Sequence, residues 1–253
     1  MPTPPKQRIV PVSGNRFWVF PQIQGDSHQL HLALERLKPE VQRGDGFVFL
    51  GSQIGQGGGS LDVAEQLFSL QKRAHGPVVW LRGIQEELLN RLLTLHLAPN
   101  PALVLNWMEQ EHAIGALLAS LQVDMAPLRA AAAAGVAPLA AALADVRAKV
   151  HPLLAYLEAC SRAAVSDNGR VLFVHGGVDP ARPLSLQTDA FWWGHPDFFR
   201  LATHYTSFDQ VYSTLVPEGV QQVKGPGRLA FDSGAGRGGL LQLHCVNLLT
   251  NQL

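Results

Sequence analysis

The sequence predicts an α/β protein: a parallel, helix-flanked sheet first, an inserted helical cap next, and a second sheet with antiparallel strands toward the C-terminus. Three observations predict it. Five short runs rich in Val, Phe, Trp and Leu recur along the chain, and continuous apolar runs of this length suit strands buried on both faces. The first three runs are each followed by apolar residues at helical spacing, the mark of parallel βαβ units. The C-terminal part, from Ser207 onward, returns to strand-like runs and ends in a partly alternating stretch.

In chain order, "RFWVF" (16–20) precedes a helix carrying Leu30, Leu32, Leu34 and Leu37. "GFVFL" (46–50) precedes one carrying Leu61, Ala64, Leu67 and Phe68, and "PVVWL" (77–81) precedes one carrying Leu88, Leu89, Leu92 and Leu93. Residues 109–163 are mostly helical by composition, interrupted by Pro127, Gly135, Pro138 and Pro152, and are expected to form the cap inserted into a single domain spanning 1–253. "RVLFV" (170–174), "RLAFD" (228–232) and "LLQLHCVNL" (240–248) then supply further strands, the last expected in the second sheet.

Acidic and basic residues balance at 20 each without clustering, which argues against a nucleic-acid or anionic-membrane surface. The alanine-rich uncharged run Ala130 to Ala144 is too short to span a bilayer and is broken by Gly135 and Pro138. The N-terminal Met-Pro-Thr-Pro-Pro-Lys is followed by no apolar core of a secretory signal, so a cytoplasmic location is expected. Cys160 and Cys245 have no metal-type spacing and are expected as buried or half-buried thiols.

Each strand end carries a glycine-rich segment: "QIQGDSH", "GSQIGQGGGS", "RGIQEE", "HGGVDP" and "DSGAGRGG". Loops at the carboxyl ends of strands in α/β sheets are where ligands usually sit. Their order and spacing resemble the calcineurin-like metallophosphoesterases, in the branch of serine/threonine phosphatases and bacterial diadenosine tetraphosphatase-like enzymes. That family reads Gly-Asp-x-His-Gly, Gly-Asp-x-x-Asp-Arg-Gly, Gly-Asn-His-Glu, His-Gly-Gly or His-Ala-Gly, Gly-His-Thr, and an Asp-Thr-Gly-like closing strand. The resemblance covers nearly the whole chain and implies a two-sheet β-sandwich flanked by helices in four layers, α-β-β-α.

It also implies a two-metal site, and this chain departs from it at almost every chemical position. Aligned by strands and glycines, Gln22 and Gln24 stand at the metal Asp and His of the first block. Ser52, Gly55 and Gln56 replace the bridging Asp, the second Asp and the phosphate-binding Arg, with Gln53 between them. Ile84 and Gln85 replace the metal Asn and the catalytic His, while Arg82, Gly83 and Glu86 match. The fourth block is intact, so His175 is the only matching ligand position, and Ser213 lies near the place of the missing Gly-His-Thr histidine. Asp26 and His28, an Asp-x-His pair, fall four residues too late for the first block.

Two divalent cations about 4 Å apart need anionic oxygens to offset their repulsion, and an amide offers only a neutral carbonyl. Without the arginine there is no bidentate fork for a phosphate, and without the histidine no acid near a leaving group. These substitutions predict no catalytic residue, no bound metal and no cofactor. They predict a pocket at the former metal and phosphate site formed by Gln22, Gln24, Ser52, Gln53, Gln56, Gln85 and His175. The function expected is that of a pseudophosphatase, an inactive binding or regulatory module for a protein partner or a polar or phosphorylated ligand. The alternative is a rebuilt phosphoester hydrolase for phosphoproteins or dinucleotide polyphosphates, using a Mn/Fe pair held by His175, Asp26, His28 or Asp179.

Overall fold

A computed structural model describes residues 9–112 and 114–248. Its strands are β1 (Ile9–Val12), β2 (Arg16–Phe20), β3 (Gly46–Phe49), β4 (Val78–Trp80), β5 (Ala163–Ser166), β6 (Val171–Phe173), β7 (Gln210–Ser213), β8 (Gln222–Gly225), β9 (Arg228–Phe231) and β10 (His244–Asn247). The helices are α1 (Ser27–Leu37), α2 (Ser60–Arg73), α3 (Ile84–Leu93), α4 (Pro101–His112), α5 (Ile114–Ser120), α6 (Met125–Ala134), α7 (Val136–Lys149), α8 (His151–Ala159) and the short α9 (Ala190–Trp193). Two mixed sheets form, in the orders β10-β2-β3-β4 and β1-β5-β6-β7-β9-β8.

The apolar runs are continuous because both faces of both sheets are covered. In β2, Phe17 and Val19 point into the core between the sheets, while Trp18 and Phe20 face the helices. β3 repeats this with Val48 inward and Phe47 and Phe49 outward. In β6, Val171 and Phe173 enter the inter-sheet core, and Leu172 packs beneath Phe191, Phe198 and Phe208 on the opposite face. The period of two in a strand thus sorts one run of residues into two cores.

The stretch ending "HCVN" corrects one expectation. β10 joins the first sheet, antiparallel to β2 with Val246 opposite Phe17, and not the second. β2 has β3 on one side only, so its other edge would leave backbone N–H and C=O groups unpaired without β10. Cys245, paired opposite Trp18 on this edge strand, is exposed and not half-buried; Cys160 is buried.

Among the described residues, the six α-helices α3 to α8 lie between β4 and β5. Their apolar faces do not form a separate core: Leu105, Met108, Leu118, Leu128 and Leu143 join the cluster that covers Phe20, Phe49 and Trp80 on the first sheet. β5 begins at Ala163, with Ser161 bridged to Leu81 just before it. No helix among the described residues is long and apolar enough to cross a membrane.

Candidate functional site

β2, β3 and β4 run parallel in one sheet, and β6, β7 and β9 run parallel in the other. Their carboxyl-end loops meet at one end of the sandwich, and the contacts between them define the site. Gln22 N–H donates to Thr214 Oγ1 at 2.8 Å, joining the loop after β2 to the end of β7. His175 Nδ1 lies 2.8 Å from Leu50 O, joining the loop after β6 to that after β3.

The amides at the first block form a chain. Gln24 Nε2 donates to Gln22 Oε1 at 2.8 Å, and Gln22 Nε2 donates to Asp232 Oδ2 at 2.7 Å. Asp232 also accepts from Gly234 N–H at 3.0 Å and from the guanidinium of Arg237, whose side chain is half exposed at the rim. All three residues of the chain are buried.

The loop after β3 lies directly on the loop after β2. Gly25 N–H donates to Gln53 O at 2.8 Å, and Gly57 N–H to Gln24 O at 2.7 Å. Gly55 permits this approach: a Cβ there would sit 2.3 Å from Gln24 Oε1 and 2.8 Å from its Cα. Gln24 and Ser52 adopt left-handed backbone, φ +57° and +52°, which side-chain-bearing residues rarely occupy. Such strain persists only where surrounding contacts over-determine it.

At Ser52, Glu86 supplies those contacts. Its Oε2 accepts from Ser52 N–H (2.7 Å) and Gly83 N–H (2.8 Å), and its Oε1 from Gln53 N–H (2.8 Å), Ile54 N–H (3.3 Å) and the Tyr156 hydroxyl (3.0 Å). The carboxylate is wholly buried and ties the loop after β3, the start of α3 and the helix α8 together. Burial, and the Glu86 charge among smaller causes, push the Tyr156 hydroxyl well above its ordinary value, which keeps it a donor.

His175 is also wholly buried. A backbone carbonyl only accepts, so the ring proton sits on Nδ1 and Nε2 is left to accept from Ser52 Oγ at 3.3 Å. Burial lowers its pKa to about 4, against smaller raising effects from the Leu50 carbonyl and the Asp232 charge. The imidazole is therefore neutral at physiological pH. Ser52 and His175 have the pairing of a nucleophile and its base, but both have 0 % exposure and the third partner is a carbonyl instead of a carboxylate.

The residues predicted for the pocket divide into two groups. Gln22, Gln24, Ser52, Gln53 and His175 are brought together and buried, with Gln53 Nε2 turned back to Gly51 O at 3.0 Å. Gln85 is half-buried, its N–H 3.4 Å from Ser52 Oγ, and Gln56 is exposed on the loop. Asp179 is engaged locally, with Arg182 at 3.0 Å and Ala181 N–H at 3.0 Å. Nothing in the sequence marks Tyr156 as part of the site, and only the hydroxyl next to Ser213 and the arginine in "GAGRGG" point to Thr214 and Arg237.

Asp26 is the N-cap of α1. Its Oδ1 accepts from Gln29 N–H at 3.0 Å and its Oδ2 from Gly236 N–H at 3.2 Å, while His28 is exposed on the first turn. Asp26→Ala is expected to cost about 1 kcal/mol of stability, the usual cost of losing a cap, and to leave any metal content unchanged. A drop in bound metal in that variant would make Asp26 a ligand.

The donor set does not fit a pair of divalent cations. Among the described residues no three His, Cys, Asp or Glu side chains gather as a metal-ligating group. Where the resemblance places ligands, Gln22 and Gln24 already satisfy each other and Asp232, and His175 Nε2 faces a serine hydroxyl. Neutral amides cannot offset the charge of two adjacent cations.

No protein-family model and no curated protein matches this sequence. Among solved structures, the crystal structure of "a putative diadenosine tetraphosphatase" is similar at 16% identity over 94% of each chain, with a TM-score of 0.55. A protein serine/threonine phosphatase from Saccharomyces cerevisiae is 14% identical over 94% of this chain and 83% of its own, TM-score 0.47. A metallophosphoesterase from Sphaerobacter thermophilus is 14% identical over 90% of this chain and 78% of its own, TM-score 0.39. At 16% identity the first likeness is one of fold: this chain has the two-sheet, helix-flanked metallophosphoesterase fold, with amides and hydroxyls at most of the places where the resemblance puts metal ligands.

Proposed function

We propose that the protein is a catalytically inactive metallophosphoesterase-like module that binds a polar or phosphorylated ligand, or a partner presenting one, without hydrolysing it. The observation that carries this reading is the chain Gln24 to Gln22 to Asp232, which places hydrogen-bonded amides where a hydrolase would need anionic metal ligands. The loops are held by Glu86 and by backbone contacts, so their shape requires no cation. Four buried side-chain atoms around the site have no protein hydrogen-bond partner and are the groups offered to a ligand: Gln53 Oε1, Gln85 Oε1 at the start of α3, Ser213 Oγ at the end of β7 and Ser233 Oγ. Buried polar atoms of this kind are ordinarily satisfied by water or by a guest.

Metal stoichiometry tests the first half. Protein purified without chelators from manganese- and iron-supplemented culture is expected to carry less than about a tenth of an equivalent of either metal, because neutral donors hold such ions weakly. One to two tight equivalents would sink the reading and favour the hydrolase. Thermal-shift titration with phosphopeptides and nucleotides tests the second half: a saturable rise in Tm is expected, since a ligand that binds only the folded state stabilises it. No shift with any of them would leave the amides as packing alone.

A further inference from the structure

At the opposite end of the first sheet, between the C-terminal ends of α1 and α2, a cavity of about 380 Å³ opens to solvent. Its floor is apolar, made by Leu34, Leu37, Val41, Phe47 and Leu70, several of them only partly buried. Its rim carries Lys38, Arg43, Arg73 and His75. We propose that this cavity is a binding site for a medium-chain acyl carboxylate, with the hydrocarbon on the apolar floor and the carboxylate held by Arg43 and Arg73.

The charges that face the cavity decide the sign of the ligand. Asp45 is the one acid among the described residues of its wall, and it is spent: its Oδ2 accepts from Trp18 Nε1 (2.9 Å) and Gln42 N–H (2.9 Å) and lies 3.6 Å from Arg16 Nε. Lys38 is spent as well, since both Glu35 oxygens meet its Nζ at 2.5 and 2.6 Å. Glu35 feels the charge of Arg73 but gives its oxygens to Lys38. Arg73 uses Nε on Ser69 O, and neither Arg73 nor Arg43 forms an ion pair among the described residues. Basic residues at helix C-termini are ordinary because of the helix dipole. That accounts for Lys38 and Arg73 but not for Arg43, which lies in the loop between α1 and β3, nor for uncovered leucine surface between them. An apolar cleft with a few polar groups is the usual form of a small-molecule site, and a guanidinium, such as those of Arg43 and Arg73 in the wall of this cavity, is matched by a carboxylate.

Isothermal titration of the full chain with sodium decanoate, below its micelle threshold, tests the proposal. One saturable site is expected, weakened at least about ten-fold in Arg43→Ala/Arg73→Ala, with decyltrimethylammonium binding at least as much more weakly. Both arginines are exposed, so the double variant should keep its circular dichroism and Tm. Ala74→Phe, which fills the cavity and leaves the arginines in place, is expected to abolish binding. Absence of saturable binding, equal affinity for the cationic amphiphile, or an unchanged affinity in the double variant would overturn the assignment. So would co-sedimentation with phosphatidylglycerol vesicles in the absence of decanoate binding, which would make the face a membrane contact.

Discussion

Replacing Glu86 with Ala is expected to cost about 3–5 kcal/mol, the largest effect of any single polar substitution in this site. Four backbone N–H groups and the Tyr156 hydroxyl converge on this one buried carboxylate, and truncation leaves all five without an acceptor. At this chain length each kcal/mol moves Tm by about 2–4 °C, so the midpoint should fall by roughly 6–20 °C. Glu86→Gln keeps the shape but turns an amide N–H toward backbone donors, and about half the cost is expected to remain. Urea unfolding of both variants measures this, and a loss under about 1 kcal/mol in Glu86→Ala would show that the loops are held by something else. The carboxylate also keeps Ser52 in its left-handed conformation, so the same variant should loosen the site.

Stability is expected to drop steeply between pH 6.5 and pH 4, and His175 is the reason. Its folded pKa is lowered from 6.5 to about 4, chiefly by burial. In that window the unfolded chain takes up a proton that the folded chain refuses, so stability rises with pH there. The contribution is complete above about pH 6.5 and is lost progressively as pH falls toward 4. A shift of this size corresponds to about 3 kcal/mol. His175→Gln removes the titrating group, so the fall in unfolding free energy across the window should be smaller by about that amount than in the unmodified protein. Parallel pH profiles for the two proteins would show that His175 titrates normally in the fold. Protonation would also put an N–H on Nε2 against Ser52, breaking the present acceptor role.

The strands were legible because each apolar run is buried on both faces, and alternation assigns its residues to two cores without any knowledge of the partner strand. "RFWVF" is such a case: Trp18 and Phe20 fall on one side, Phe17 and Val19 on the other. The placement of "LLQLHCVNL" was not legible, because which sheet a strand joins depends on which backbone edge is left open, and β2's free edge is visible only once β3 has paired. β8, reading Gln-Val-Lys-Gly, carries little apolar signal because it is an edge strand whose residues are exposed or only partly buried.

For the site, the sequence by itself determined which side chains stand at the positions that the resemblance matches to metal and phosphate ligands: Gln22, Gln24, Ser52, Gln56 and Gln85 are amides and a hydroxyl, whatever the chain's shape. Only the tertiary structure decided what those residues do instead. Gln22 finds Asp232 across 210 residues of sequence, and Ser52 finds His175 across 123, because strands of two different sheets bring their carboxyl ends to one place. Hydrogen bonds are short-ranged and directional, so an amide's partner follows from position in space, and no spacing along the chain encodes it.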